Sequence, residues 1–223
     1  MPQSPPIRAV LFDLDGTLLD TLDAIAASAN HALQAVGVPR NLSAEEWRVR
    51  IGGGGRKLFA EFMPEAQIDA AIAAYQGHHR GPGSDLIRVF AGMDTLPGQL
   101  ADRGIQTAVL SNKPHESTVT VIARFFPGNR FMRVQGVAAG VAPKPDPAAA
   151  MDILGEMGVP PVEALYIGDS EIDVMLAERA GMQVLACSFG MRPRAELVNC
   201  GARWIVDEPE RVGMELLARL DGQ

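Results

Sequence analysis

The sequence predicts an α/β fold: a doubly wound parallel sheet carrying a helical insertion after its first strand. Three observations predict it. From Phe90 onward, short apolar runs of strand length alternate with segments of helical periodicity. Before that, about seventy residues after the first apolar run read as helical, with no convincing strand. Polar residues follow several of the apolar runs, at the carboxyl edge where open α/β sheets bind ligands.

Ile7 to Phe12 reads as the first strand, and Gly16 lets the chain leave it through a turn. The Ala-rich segment Thr21 to Val36 carries Leu22, Ile25, Ala29, Leu33 and Val36 at near-helical spacing, and Gly37 stops it. Ser43 with Glu46 reads as a capping box that opens a helix towards Val49. A glycine run, Gly52 to Gly55, precedes a helix from Arg56 to Phe62. A further helix runs from Glu65 to His79, and Gly81-Pro82-Gly83 breaks it. Helices are then predicted over 94–103, 114–126, 147–157, 171–180, 194–199 and 209–220. Strands are predicted over 106–110, 131–135, 164–167, 183–186 and 203–206. The expected division is a core of residues 1–18 and 90–223, with 19–89 as the inserted helical domain.

At 223 residues and 47% hydrophobic content, the chain is long enough for a real core. No stretch is long and apolar enough to span a membrane. The segment Met1 to Pro6 is short, polar and Pro-rich, and reads as the frayed tail of a cytoplasmic protein. Cys187 and Cys200 are the only cysteines and are expected as packed thiols. A net charge of −7 argues against a nucleic-acid binder but leaves room for a small anionic substrate. The expected partner is a small phosphorylated metabolite, with no nucleic acid and no membrane; the chain is expected as a monomer or homodimer.

The chemistry concentrates in four places. Asp13 and Asp15 follow the first strand. Ser111-Asn112-Lys113 follows the apolar run ending at Leu110. Lys144 lies in a Pro-rich loop before a helix. Gly168-Asp169-Ser170 follows the run ending at Ile167, with Asp173 four residues after Asp169. Singly, each has a structural explanation: turn aspartates, a helix cap, a solvated lysine. Together they converge on one sheet edge. Two carboxylates about 3 Å apart repel by roughly 5 kcal/mol at an effective dielectric of about 20, which a shared proton or a bound cation relieves. Such a site suits a phosphate monoester. Mg²⁺ suits a few carboxylates plus a phosphate oxygen, a lysine and a serine bind the phosphoryl group, one Asp attacks, and the second gives a proton to the leaving oxygen.

In order, Asp13-Leu14-Asp15-Gly16-Thr17, Ser111-Asn112, Lys144-Pro145 and Gly168-Asp169-Ser170 with Asp173 resemble the four motifs of the haloacid dehalogenase-like superfamily. Thr21, Asp23, the stretch from Val49 to Lys57 and Ser111 to Pro114 are similar to its phosphoglycolate phosphatase-like branch. The resemblance implies Asp13 as the nucleophile that forms an aspartyl-phosphate and Asp15 as the general acid and base. It implies Asp13, the Asp15 carbonyl and Asp169 as Mg²⁺ ligands, with Asp173 supporting the metal site or orienting Lys144. Ser111, Asn112 and Lys144 would hold the phosphoryl group, and the insertion would be an α-helical cap. Asp15 argues against the dehalogenase branch, which lacks the second carboxylate. Pyrophosphatases and β-phosphoglucomutase-like enzymes share the core motifs. Receiver-type signalling domains share the Asp, Ser or Thr, Lys and Mg²⁺ set, but they are shorter, have no insertion and do not need Asp15. In the cap, Arg56 and Lys57 are the candidates for reading a second anionic group of the substrate. His78 and His79 are expected as exposed residues at a helix end.

Overall fold

The computed structural model of the protein describes residues 5–128 and 131–221. Residues 1–4, the larger part of the segment read as a frayed tail, lie outside the described residues. The chain divides into two compact units, Met1–Leu19 with Val89–Gln223, and Asp20–Arg88.

The first unit is built on six parallel strands: β1 (Ala9–Phe12), β4 (Gln106–Pro114), β5 (Arg133–Val137), β6 (Ala164–Gly168), β7 (Gln183–Cys187) and β8 (Ile205–Val206). Their order across the sheet is β5-β4-β1-β6-β7-β8, with every pairing parallel. From β1 the chain adds β4 and then β5 on one side, and then β6, β7 and β8 in turn on the other. The sheet therefore switches direction between β1 and β6, where doubly wound sheets open a crevice at the strands' carboxyl ends. Helices α5 (Leu96–Asp102), α6 (His115–Phe125), α7 (Ala148–Met157), α8 (Glu171–Ala180) and α9 (Arg194–Asn199) lie in the connections between strands, and α10 (Pro209–Asp221) follows the last strand.

The central strands are buried on both faces, which is why they read as unbroken apolar runs. All four residues of β1 are fully buried. Ala9 and Leu11 join Ala108, Leu110, Ala164 and Tyr166 in a core that α7 and α8 cover with Ala150, Ile153, Leu154, Leu176 and Ala177. Helices α7 and α8 each end on a left-handed glycine, Gly158 (φ 64°) and Gly181 (φ 73°), at the stops the sequence predicts.

The second unit holds α1 (Leu22–Ala35), α2 (Ala44–Arg48), α3 (Gly54–Phe59) and α4 (Glu65–Arg80) around a core that includes Leu33, Trp47, Phe59 and Ile68. The predicted capping box is present: the Glu46 amide donates to Ser43 Oγ at 3.3 Å, and the Ser43 amide donates to Glu46 Oε2 at 2.8 Å. Asn30 ties α1 to the α2 region. Its amide donates to the Leu42 carbonyl, and its oxygen accepts from the Leu42 amide and Trp47 Nε1.

Several expectations need correction. Strand β4 does not stop at Leu110 but continues to Pro114, with its register against β5 shifting between Leu110 and Pro114. Ser111, Asn112 and Lys113 therefore stand on an irregular strand extension rather than after a strand. The β5 strand begins at Arg133, not Phe131, because the aromatic rings of Phe126 and Phe131 pack together outside the ladder. Helix α3 starts and ends earlier than expected, at Gly54 and Phe59. Two short strands not predicted, β2 (Leu19–Asp20) and β3 (Arg88–Val89), pair with each other. Cys187 is buried, but Cys200 is exposed. His79 is buried and His78 half-buried: the Ser28 hydroxyl lies 3.0 Å from His78 Nδ1, and His79 stacks on Tyr75.

Candidate active site

The site lies at the carboxyl ends of β1, β4 and β6, all within the first unit. The Asp13 amide donates to the Ile167 carbonyl at 2.8 Å, extending the β1–β6 ladder by one residue and placing the Asp13 side chain at the edge. Gly16 follows with φ 84°, a left-handed conformation that side chains resist. A Cβ there would stand 2.2 Å from Asp169 Oδ2, so only glycine lets the two loops meet. Thr17 Oγ1 donates to Asp169 Oδ1 at 3.3 Å, and the Met191 amide donates to Asp169 Oδ2 at 2.6 Å.

Lys144 is the hub. Its Nζ stands 2.9 Å from Asp13 Oδ1 and 2.7 Å from Asp173 Oδ1, with 3% of the lysine side chain exposed. It also donates to the Tyr166 hydroxyl at 2.9 Å, and that hydroxyl donates to the Leu110 carbonyl at 2.7 Å. Asp173 Oδ2 accepts from the amides of Asp169 and Ser170 and from Ser170 Oγ. These donors sit at the N-terminal end of α8, where backbone N–H groups and the helix dipole favour a negative charge. Asp173 thus fixes Lys144 from below while holding the turn that carries Asp169.

One carboxylate oxygen from each of Asp13, Asp169 and Asp173 lies within 4.8 Å of the others. Burial pushes the Asp13 carboxyl up from 3.8 to about 7; Lys144 opposes the rise and Asp173 adds to it. Asp169 is also pushed well up, first by burial and then by Asp173 and Asp13. Burial disfavours the Lys144 charge, but Asp13 and Asp173 outweigh it, so the ammonium is held well above its ordinary value. Because Asp13 has a higher pKa folded than unfolded, its contribution to stability is full below about 4 and is lost as pH rises through about 7. A hard cation removes that penalty, and buried carboxylate oxygens are the donors Mg²⁺ takes.

The structure brings Asp13, Lys144, Asp169 and Asp173 into direct or near contact. Ser111 is buried on the β4 extension, where its Oγ accepts from the Lys113 amide at 3.3 Å. Asn112, expected to hold phosphate, clamps the Lys144 loop: its Nδ2 donates to the Lys144 carbonyl at 3.0 Å and its Oδ1 accepts from the Lys144 amide at 2.8 Å. Arg56 lies in the second unit, in exposed ion pairs with Glu65 and with Asp69, the latter at 2.8 Å. Lys57 is exposed.

Four contributors are given no role in the sequence reading. Tyr166 sits in an apolar strand, where a buried hydroxyl needs a partner; that is the one signal that could have flagged it. Lys113 pairs with Asp15 (Nζ to Oδ1 3.1 Å and to Oδ2 3.2 Å). Met191 and Gly190 belong to the loop after β7, which has no motif of its own. A Cβ on Gly190 would lie 2.3 Å from the Gly16 carbonyl oxygen and 2.4 Å from Asp169 Oδ2. Gly190→Ala is therefore expected to cost about 1–3 kcal/mol by overpacking and to displace Asp169, read as a lower Tm and weaker Mg²⁺ binding in calorimetry.

A doubly wound sheet with buried carboxylates and a buried lysine at its switch point has the arrangement of an α/β enzyme site. Comparison with known proteins makes the class specific. Residues 10–187 match the family described as haloacid dehalogenase-like hydrolase, and the chain belongs to that family. It is 31% identical over 228 residues to the phosphoglycolate phosphatase of Pseudomonas putida, an alignment covering 96% of this chain and 79% of that one. It is 32% identical over 202 residues to phosphoglycolate phosphatase 1 of Pseudomonas aeruginosa, covering 85% and 73%. A solved haloacid dehalogenase-like family hydrolase from Streptococcus pneumoniae superposes with a TM-score of 0.84 at 25% identity, covering 95% and 97% of the two chains. Among the described residues, no helix is long and apolar enough to cross a membrane.

Proposed function

We propose that this enzyme is a Mg²⁺-dependent phosphatase that hydrolyses a small phosphomonoester, 2-phosphoglycolate, through an aspartyl-phosphate on Asp13. The observation that supports it most is the junction of Asp13, Lys144 and Asp173 at the switch point, with Asp169 beside them. The two Pseudomonas relatives are both called phosphoglycolate phosphatase, which supports the choice of substrate.

A carboxylate oxygen of Asp13 attacks phosphorus, and the bond from phosphorus to the leaving alkoxide oxygen breaks. Asp15, which enters the substrate complex carrying a proton, delivers it to that oxygen and releases the alcohol. Asp15, now a carboxylate, takes a proton from water; the water oxygen attacks the aspartyl-phosphate, and inorganic phosphate leaves Asp13. Lys144 and Ser111 bind the phosphoryl oxygens, and the Asp173–Lys144 contact keeps the ammonium aimed there. Asp13, Asp169 and the Asp15 carbonyl would hold Mg²⁺, with Asp173 behind them. When bound, the cation neutralises charge between nucleophile and phosphate. The helical unit, residues 20–88, would act as a cap.

The test is phosphate release from a panel of small phosphomonoesters and pyrophosphate, with and without Mg²⁺. Phosphoglycolate is expected to lead the panel, and only with Mg²⁺. A flat panel would discard the substrate, and pyrophosphate in the lead would discard the phosphomonoesterase. The pKa shifts add a metal-binding prediction. Mg²⁺ must displace protons from Asp13 and Asp169, so its affinity rises with pH, by about tenfold per unit for each proton displaced below the carboxyl pKa. Calorimetry at pH 5.5 and pH 8 checks this; equal affinities would remove the carboxylates from the metal site.

A further inference from the structure

We propose that Lys113 is the specificity residue that reads a carboxylate carried one carbon beyond the phosphoester oxygen of the substrate. The proposal rests on the functional reading above, in which Asp15 serves the leaving oxygen.

Between Leu110 and Pro114, four residue steps of β4 are matched by two of β5, since Leu110 pairs with Gln135 and Pro114 with Val137. Such irregularities re-aim side chains. Here the tight approach of β5 fixes the result: a Cβ on Gly136 would stand 2.5 Å from the Lys113 carbonyl oxygen, and Thr118 Oγ1 also donates to that carbonyl. The Lys113 backbone is held on two sides, and its side chain is 5% exposed. A lysine this buried is costly unless its charge is used. Its partner is Asp15, with Nζ 3.1 Å and 3.2 Å from the two oxygens.

That partner decides what Lys113 can reach. Asp15 must come within hydrogen-bond distance of the leaving oxygen, about 2.8 Å, to protonate it. The Lys113 ammonium then stands no more than about 6 Å from the leaving oxygen. In a 2-phosphoglycolate, one methylene separates that oxygen from the carboxylate, so the carboxylate falls in the same shell around Asp15. An ammonium carries three donors, enough to hold Asp15 and a substrate carboxylate together. A substrate carboxylate without a cation would instead face the attacking Asp13 carboxylate and be repelled. Arg56 is the rival cation, but it is exposed and engaged by Glu65 and Asp69.

The experiment compares phosphoglycolate with ethyl phosphate, which keeps the alkyl phosphoester and lacks the carboxylate. The readout is the ratio of kcat/KM for the two substrates in wild type, Lys113→Met, Lys113→Arg and Arg56→Ala. Lys113→Met is expected to lower the ratio by about ten- to a hundredfold, the loss of a charged hydrogen bond. Lys113→Arg is expected to keep most of the ratio, and Arg56→Ala to keep it within about threefold, as loss of an exposed pair should. A general structural defect would lower both substrates together and leave the ratio unchanged, which overturns the proposal. So does a ratio that collapses in Arg56→Ala instead. If Lys113→Met does not fold, wild type still decides: an enzyme that turns over ethyl phosphate as well as phosphoglycolate has no carboxylate reader. Absence of Asp13-dependent phosphate release from every phosphomonoester is a different result, which removes the functional reading and this proposal with it.

Discussion

Asp13→Asn is expected to lower kcat for phosphate release by at least about 10,000-fold while leaving the fold intact. Under the proposed mechanism the substitution removes the nucleophile and nothing of comparable size. Asn keeps an oxygen that can accept the Leu14 amide, which bonds Asp13 Oδ1 at 2.7 Å in the native site. It also removes a buried carboxyl whose pKa stands at about 7, so the charged form no longer strains the metal-free protein above neutrality. Tm without Mg²⁺ at pH 8 is therefore expected to match or exceed that of wild type. The variant should also fail to accumulate phosphoenzyme under rapid quench. Residual turnover within tenfold of wild type would move the nucleophile elsewhere.

Lys144→Met is expected to have the largest effect on stability. The lysine side chain is 3% exposed and stands between Asp13 and the fully buried Asp173. Removing it strands two carboxylates around a cavity that water barely reaches. Breaking a buried pair in this way costs about 3–5 kcal/mol, which for a chain of this size lowers Tm by about 6–20 °C. The sign of the pH dependence follows from the same groups. At pH 5.5 Asp13 holds a proton and the stranded charge is small; loss of Lys144 pushes the carboxyl further up, so at pH 8 the variant must keep an unpaired charge or hold a proton that wild type releases. The destabilisation should therefore grow with pH, and Mg²⁺ should recover part of it by replacing the lost positive charge. Thermal unfolding of both proteins at the two pH values, with and without Mg²⁺, checks this. A difference independent of pH would mean that Lys144 contributes packing rather than charge.

The two variants separate roles that a single activity assay merges. Asp13→Asn should lose chemistry and keep stability, whereas Lys144→Met should lose both. The contrast arises because the Asp13 charge is strained in the folded protein and the Lys144 charge is stabilised by its neighbours.

The sequence by itself determined the architecture and the acidic centre. Strands buried on both faces must be apolar throughout, so β1, β6 and β7 are visible as runs, and Gly158 and Gly181 mark helix ends because they adopt left-handed backbone there. Asp13, Lys144, Asp169 and Asp173 could be grouped because residues at strand ends and in the following turns share one edge of a parallel sheet. Tertiary structure alone decided the rest. The Lys113–Asp15 pair spans 98 residues and depends on an irregular register in β4 that no local pattern encodes. Asn112 holds the Lys144 loop because the two segments meet in space, 32 residues apart. Tyr166 and Met191 support the site from a core strand and from the loop after β7, through bonds set by packing distance rather than by residue type. Chemistry that requires a residue at a strand end is legible in one dimension. The donors that aim and neutralise it are chosen by neighbours the chain acquires only when it folds.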